Sequence, residues 1–206
     1  MSSSAQELLV AGIQQLGLAF DGLKVEKLLQ FIQLIQKWNK AYNLTAVTEL
    51  PEMVTLHLLD SLAILPYINS SRIIDIGTGA GLPGIPLAIA QPEKQFVLLD
   101  SNAKKTRFVQ QAIVELQLPN VNVVHARVES YQPEQPFDTI LTRAFASLAD
   151  IQKLTAHLLA DHGEILAMKG HPTAEEIDQI HGHYQVLPLH IPGVHADRCL
   201  VKYANA

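Results

Sequence analysis

The chain has 206 residues, 48% apolar and 17% charged, which is enough for one full core and unlike a disordered composition. Its formal net charge of −5 argues against a bulk nucleic-acid binder, so any RNA contact must come from local basic patches. A single cysteine, Cys199, excludes an internal disulfide and a multi-cysteine metal site.

The opening "MSSSAQELLVAGIQQL" lacks the basic flank and cleavage pattern of a signal peptide, and no apolar run reaches the ~18 residues of a membrane span, so a cytoplasmic protein is expected. Ser4 and Glu7 suggest a capping box for a first helix. Val25, Leu28, Leu29, Ile32 and Ile35 then recur at helical spacing, with Phe31, Leu34 and Trp38 widening the stripe. A third helix is predicted over Glu52 to Leu65, ended by Pro66. From Arg72 the pattern changes to short apolar runs, "RIIDI", "QFVLLD", "NVNVVHA", "FDTILTR" and "GEILAMKG". Helices fall between them at about Gly84–Ala90, Ala103–Gln117 and Ala149–Ala160. Continuous apolar strands separated by helices predict a parallel sheet covered on both faces. "PTAEEIDQI" carries a second capping box, Thr173 and Glu176, and "YQVLPLHIP" and "DRCLVKYA" read as two closing strands. The expected layout is an N-terminal helical cap, residues 1–70, on a doubly wound α/β domain, residues 71–206, forming one compact unit.

The turn after the first strand holds Gly77, Gly79, Gly81 and Gly84, of which the last three match G-x-G-x-x-G. Asp100 ends the second strand at about the 20-residue spacing expected of an acid that binds ribose hydroxyls. Together these predict a nucleoside-containing ligand. A P-loop is excluded because no Lys-Ser/Thr follows Gly84. A dinucleotide is disfavoured by Pro83 and Pro86, which remove two N–H groups from the helix start, and by Asp75, whose carboxylate would repel a pyrophosphate. Asp75 would instead attract an ammonium or sulfonium group, as S-adenosylmethionine (SAM) carries; the alternative is a carboxylate that merely holds the turn. Glu129, in "HARVES" after the third strand, could accept from an adenine amino group while the Val128 backbone flanks the ring. A solvated loop glutamate is the bland alternative.

With SAM as donor, the acceptor is narrowed by what is missing. The position after the fourth strand reads "LTRAFASL", without the Asp/Asn/Ser-Pro-Pro-aromatic turn common in amino-group methyltransferases. Pyrimidine C5 chemistry needs a cysteine nucleophile, and Cys199 sits in a terminal strand pattern where core packing explains it. Guanine N7 has a free lone pair and no proton to lose, so its methylation needs positioning and can dispense with a general base. Arg143, at the end of the fourth strand, could hold a nucleotide or the cofactor, or simply make an ion pair. No catalytic base is identifiable. His181 and His183 lack carboxylate or cysteine support, and no metal site is expected.

These segments resemble the RsmG (GidB) family of SAM-dependent small-subunit rRNA guanine-N7 methyltransferases. The resemblance runs from about Leu28 to Lys202 and includes "WNKAYNLTAV", "HLLDSL", "DIGTGAGLPGIPLAI", "LLDSNAKKTRF", "RVESY", "TRAFASL" and "MKG" in order. It implies a class I SAM-dependent methyltransferase fold, a Rossmann-like, mostly parallel seven-stranded sheet. It further implies methyl transfer to N7 of one guanine in the decoding-region (530) loop of 16S rRNA in the 30S subunit. By motif, SAM contacts carry over to Gly77, Leu82, Val128, Glu129 and Arg143, with Asp100 as ribose ligand; Gly79 and Asp75 join them from the residue-level argument. For RNA, Lys104, Lys105 and Arg107 are the first candidates and Arg127, Lys169 and Arg198 the second. Lys202 stands where an apolar strand residue is more usual, which leaves the last strand's pairing open. The weak overall field suits an enzyme that recognises a folded particle by shape and an exposed base. An NAD-dependent oxidoreductase shares the glycines and Asp100 but lacks a hydride-transfer constellation. A non-catalytic SAM- or 30S-binding assembly factor is the remaining alternative. A monomer is expected.

Overall fold

The computed structural model describes residues 3–204. Helix α1 (Ser3–Gln15) begins one residue before Ser4, which therefore lies inside the first turn and does not cap it. Helix α2 (Gly22–Tyr42) starts at the Asp21 cap, whose side chain accepts from the Lys24 amide, and it buries Val25, Leu28, Leu29, Phe31, Ile32, Leu34 and Ile35. It ends on Asn43 in the left-handed region (φ +50°), a conformation asparagine tolerates.

The expected third helix is three pieces: α3 (Leu50–Met53), a π-helical turn (Val54–Leu59) and α4 (Asp60–Leu62). It begins earlier than predicted because Pro51 fits the first helical turn. It stops before Leu65, and Pro66 lies in a separate 3-10 turn, Leu65–Tyr67.

Seven strands form one sheet: β1 (Arg72–Ile76), β2 (Gln95–Asp100), β3 (Val121–His125), β4 (Phe137–Arg143), β5 (Leu159–Lys169), β6 (Tyr184–Pro188) and β7 (Cys199–Ala204). Their order is β3-β2-β1-β4-β5-β7-β6. The first five are parallel, and β7 runs antiparallel to both β5 and β6. Helices α5 (Gly84–Ala90), α6 (Ala103–Glu115) and α7 (Leu148–Thr155) make the crossovers. Strand β5 starts at Leu159, four residues before the predicted Gly163, because Leu159 pairs with Phe137 across an irregularity in register. Helix α7 is shortened accordingly. Helix α8 (Ala174–Asp178) is capped by Thr173, which accepts from the Glu176 amide.

Lys202 is accommodated in β7 opposite Leu166, with its ammonium paired to Glu164 at 2.5 Å, so this strand's pairing is regular. One core cluster joins the cap to the sheet, with Leu9, Leu28 and Phe31 packed in continuity with Phe96, Leu98 and Phe108. The second cluster includes Phe137, Leu148, Ile151 and Tyr203. Strand order reverses between β1 and β4, so a ligand is expected beyond the carboxyl ends of these strands.

Candidate functional site

The loop leaving β1 turns beneath the end of β2. Gly77 has φ +69°, and a Cβ there would stand 2.7 Å from Phe145 Cδ2, so glycine is needed for both conformation and space. The Gly79 amide donates to Asp100 Oδ2 at 2.9 Å, and the Asn102 amide donates to Asp100 Oδ1 at 2.8 Å. Each carboxylate oxygen has two acceptor directions, so Asp100 keeps capacity for a ligand after fixing both loops. Asp75 is fully buried under the same turn. Its Oδ2 accepts from Thr78 Oγ1 at 2.6 Å and the Gly84 amide at 3.0 Å, while Oδ1 has no hydrogen-bond partner among the described residues. Burial raises its carboxyl pKa from 3.8 to about 6, against the opposing pull of those two hydrogen bonds.

A cavity of about 270 Å³ opens beyond this turn, lined by Gly77, Leu99, Asp100, Ser101, Lys105, Ala126, Arg127, Val128, Glu129, Ala144 and Phe145. A mostly polar lining, with Leu99, Val128 and Phe145 as apolar surface, one acid at the end of β2 and another after β3, suits a ribose and an attached heterocycle. Asp75 and Leu82 do not line this cavity; both are buried behind it.

A second cavity, about 510 Å³, lies on the other side of Ala144, which lines both. Ala144 has φ +52°, a strained conformation for a residue with a side chain. Arg143 turns to this second side: its Nη1 donates to the Leu56 carbonyl at 3.2 Å and to Asp60 Oδ2 at 3.0 Å. Arg198 Nε donates to Asp60 Oδ1 at 3.1 Å. A buried carboxylate thus holds two guanidinium groups from different strands' ends. The π-helical turn brings Leu56 and His57 to the same wall as Asp60. His57 Nε2 is 2.9 Å from Thr45 Oγ1, and Nδ1 is buried with no hydrogen-bond partner among the described residues. Burial is the largest influence on the His57 ring and lowers its pKa, which favours the neutral form. Asn39 braces this arrangement by accepting from the Thr45 amide and donating to the Thr45 carbonyl, both at 2.9 Å. "WNKAYNLTAV" is therefore a brace that leads through Thr45 to His57. Trp38 packs edge-on against Tyr42 and Phe108.

The structure brings Gly77, Asp100, Val128 and Glu129 together at the first cavity, and Gly79 is bonded to Asp100. The six basic candidates split. Lys104 and Arg107 are exposed on α6, whereas Lys105 and Arg127 line the first cavity. Lys169 and Arg198 line the second, where Lys169 pairs with Glu176. Cys199 is buried at that cavity's wall, and burial raises its thiol pKa, which makes it a poor nucleophile. Asp60 and His57 had received no role from sequence alone; the available signal was an acid and a histidine inside the otherwise apolar "LHLLDSL". Among the described residues no group of three or more His, Cys, Asp or Glu could hold a metal ion, and no helix is long and apolar enough to cross a membrane.

Residues 24–201 match the family model described as "GidB: rRNA small subunit methyltransferase G". The chain belongs to the rRNA small subunit methyltransferase G family. Members are similar over nearly the whole length: the Ribosomal RNA small subunit methyltransferase G of Hydrogenovibrio crunogenus is 51% identical over 195 residues, 93% of this chain and 90% of that protein. Solved structures outside rRNA small subunit methyltransferase G share the fold. The ribosomal protein L11 methylase of Lactobacillus delbrueckii subsp. bulgaricus superposes with TM-score 0.56 at 15% identity, covering 72% of this chain and 77% of that one. Coclaurine N-methyltransferase bound to N-methylheliamine and SAH gives 0.51 at 16% identity, covering 79% and 50%. The sheet order is accordingly that of a class I SAM-dependent methyltransferase.

Proposed function

We propose that the protein methylates small-subunit rRNA, taking the methyl from SAM and delivering it to N7 of one guanine in the decoding-region loop of 16S rRNA within the 30S subunit. The observation that carries this reading is the pairing of two cavities across Ala144, one shaped for a nucleoside ligand and one walled by cationic groups. Membership of the family and the SAH carried by a fold relative support the donor.

SAM supplies an electrophilic methyl on a sulfonium. Asp100 would accept from the ribose hydroxyls, Val128 would flank the adenine, and Glu129 would accept from its amino group. Gly77 and Gly79 would let the backbone come close to the donor, while Asp75 holds that turn from beneath through Thr78 and the Gly84 amide. Leu82 would support the turn from behind. Arg143, at the partition between the cavities, would position the donor, the base or both; no general base is required at a nitrogen that carries no proton. Lys104, Lys105, Arg107, Arg127, Lys169 and Arg198 would neutralise phosphates or fix the base.

The test is incorporation of labelled methyl from SAM into 30S subunits from cells lacking this protein, followed by mapping of the modified nucleotide. One 7-methylguanine in the decoding-region loop is expected. No incorporation with SAM binding intact would remove the catalytic reading and leave a SAM-binding assembly factor.

A further inference from the structure

We propose that the second cavity is the pocket for the target base, and that Asp60 is the residue that selects guanine. The inference rests on the methyl-transfer reading and adds to it the residue that sets base specificity.

The cavity has the character of a small-ligand site: apolar surface from Leu56, Met168 and Leu189 surrounds a few convergent polar groups. Ala144, the strained residue after β4, lines both this cavity and the first. Two features of its wall bear on a ligand. His57 Nδ1 is buried, on a residue 6% exposed, with no hydrogen-bond partner among the described residues. Asp60, 4% exposed, is a carboxylate at the cavity wall placed there by a π-helical turn, a distortion that recurs at functional sites.

The base chemistry follows from donors and acceptors. A base taken out of its stack is read along its Watson–Crick edge and by packing on its faces. Guanine presents two donors there, N1–H and the N2 amino group. Adenine presents an acceptor at N1, which a carboxylate repels. Asp60 spends one acceptor direction of each oxygen on Arg143 and Arg198, which fix its orientation, and retains one on each oxygen. A guanine held on this edge keeps N7, on its Hoogsteen edge, free for the incoming methyl. His57 Nδ1 and Lys169 remain as further polar groups for the base or its sugar.

The experiment measures binding of GMP and AMP to the SAH-bound protein, together with methylation of 30S subunits from cells lacking it. Wild type is expected to prefer GMP over AMP by about 10-fold or more, as a paired carboxylate contact allows. Asp60→Asn should abolish that preference and slow methylation at least about 10-fold, with SAM affinity changed less than about twofold. Retained SAM affinity shows that the variant is folded. Gly170→Trp is the second variant: Gly170 is exposed at the cavity, and a Cβ there comes no nearer than 3.7 Å to its neighbours. It should exclude GMP and leave SAM bound. Equal affinity of wild type for GMP and AMP, or an unchanged preference in Asp60→Asn, overturns the assignment. Methylation by wild type at a position other than guanine N7 would instead remove the underlying reading, while the nucleotide preference still decides the pocket.

Discussion

At the scale of single residues, Asp75 shows what full burial does to an acid beneath the candidate site. Its Oδ2 holds the glycine turn, and its Oδ1 is fully buried with no hydrogen-bond partner among the described residues. Because the folded-state pKa is raised to about 6, the folded chain holds this proton more tightly than the unfolded chain does. The stabilising contribution is therefore complete below about pH 4 and is lost as pH rises through about 6. An amide at this position does not titrate. The stability of Asp75→Asn relative to wild type should rise by about 2–3 kcal/mol between pH 4 and pH 7. Urea denaturation of both proteins at each pH measures this, and a difference independent of pH would refute the burial argument. Residues of this site differed in how legible they were. Gly77, Gly79 and Asp100 were visible because a glycine turn and an acid at fixed spacing have few other uses. The partner of Arg143 was not, because Asp60 is 83 residues away in sequence and only packing of the cap on the sheet brings them together. Lys105 could not be separated from Lys104 either: successive helical residues point about 100° apart, and the sequence does not say which faces the cavity.

At the scale of elements, the parallel strands and their crossovers were legible because buried apolar runs and amphipathic helices have different periods. Their ends were not: Leu159 joins β5 through a ladder partner, Phe137, that local propensity cannot see. The π-helical turn was also invisible, since its side-chain pattern differs from an α-helix by one inserted residue. The segment from α2 to that turn acts as a relay of fixed contacts. Asn39 makes two hydrogen bonds to the Thr45 backbone, and Thr45 Oγ1 reaches His57 at the second cavity. Asn39→Ala removes both bonds and should cost about 1–3 kcal/mol of stability. Its effect on function should be uneven, because the relay ends at the proposed base pocket and makes no contact with the first cavity. Methylation rate at saturating SAM should fall several-fold while SAM affinity stays near wild type. A matched loss of SAM affinity would show that the brace supports the whole sheet end instead.

At the scale of the whole molecule, the N-terminal helices and the sheet meet at the second cavity. They share a core cluster, and Asp60 from the cap anchors Arg143 and Arg198 from the sheet, so the second cavity has a wall from each. The charge of the chain bears on what it can recognise. With a net charge of −5, the long-range field does not draw in RNA, and attraction must come from local groups. Lys169 is paired with Glu176 and Arg198 with Asp60, while Lys105 turns inward. Lys104, Arg107 and Arg127 are the exposed candidates for phosphate contact. About three neutralised phosphates correspond to a slope of roughly −2 to −3 in log K against log salt, shallow for a nucleic-acid enzyme. Affinity of that size leaves shape to supply the selectivity, and shape is best defined in an assembled particle. Assembled 30S subunits should therefore be methylated at least about 10-fold faster than protein-free 16S rRNA under the same salt. The double variant Lys104→Gln/Arg107→Gln should flatten the salt slope by about 1–2 without altering SAM affinity. Equal rates on the two substrates, or a steep slope unaffected by those changes, would move the RNA surface away from this face and make electrostatic capture of naked RNA the governing step.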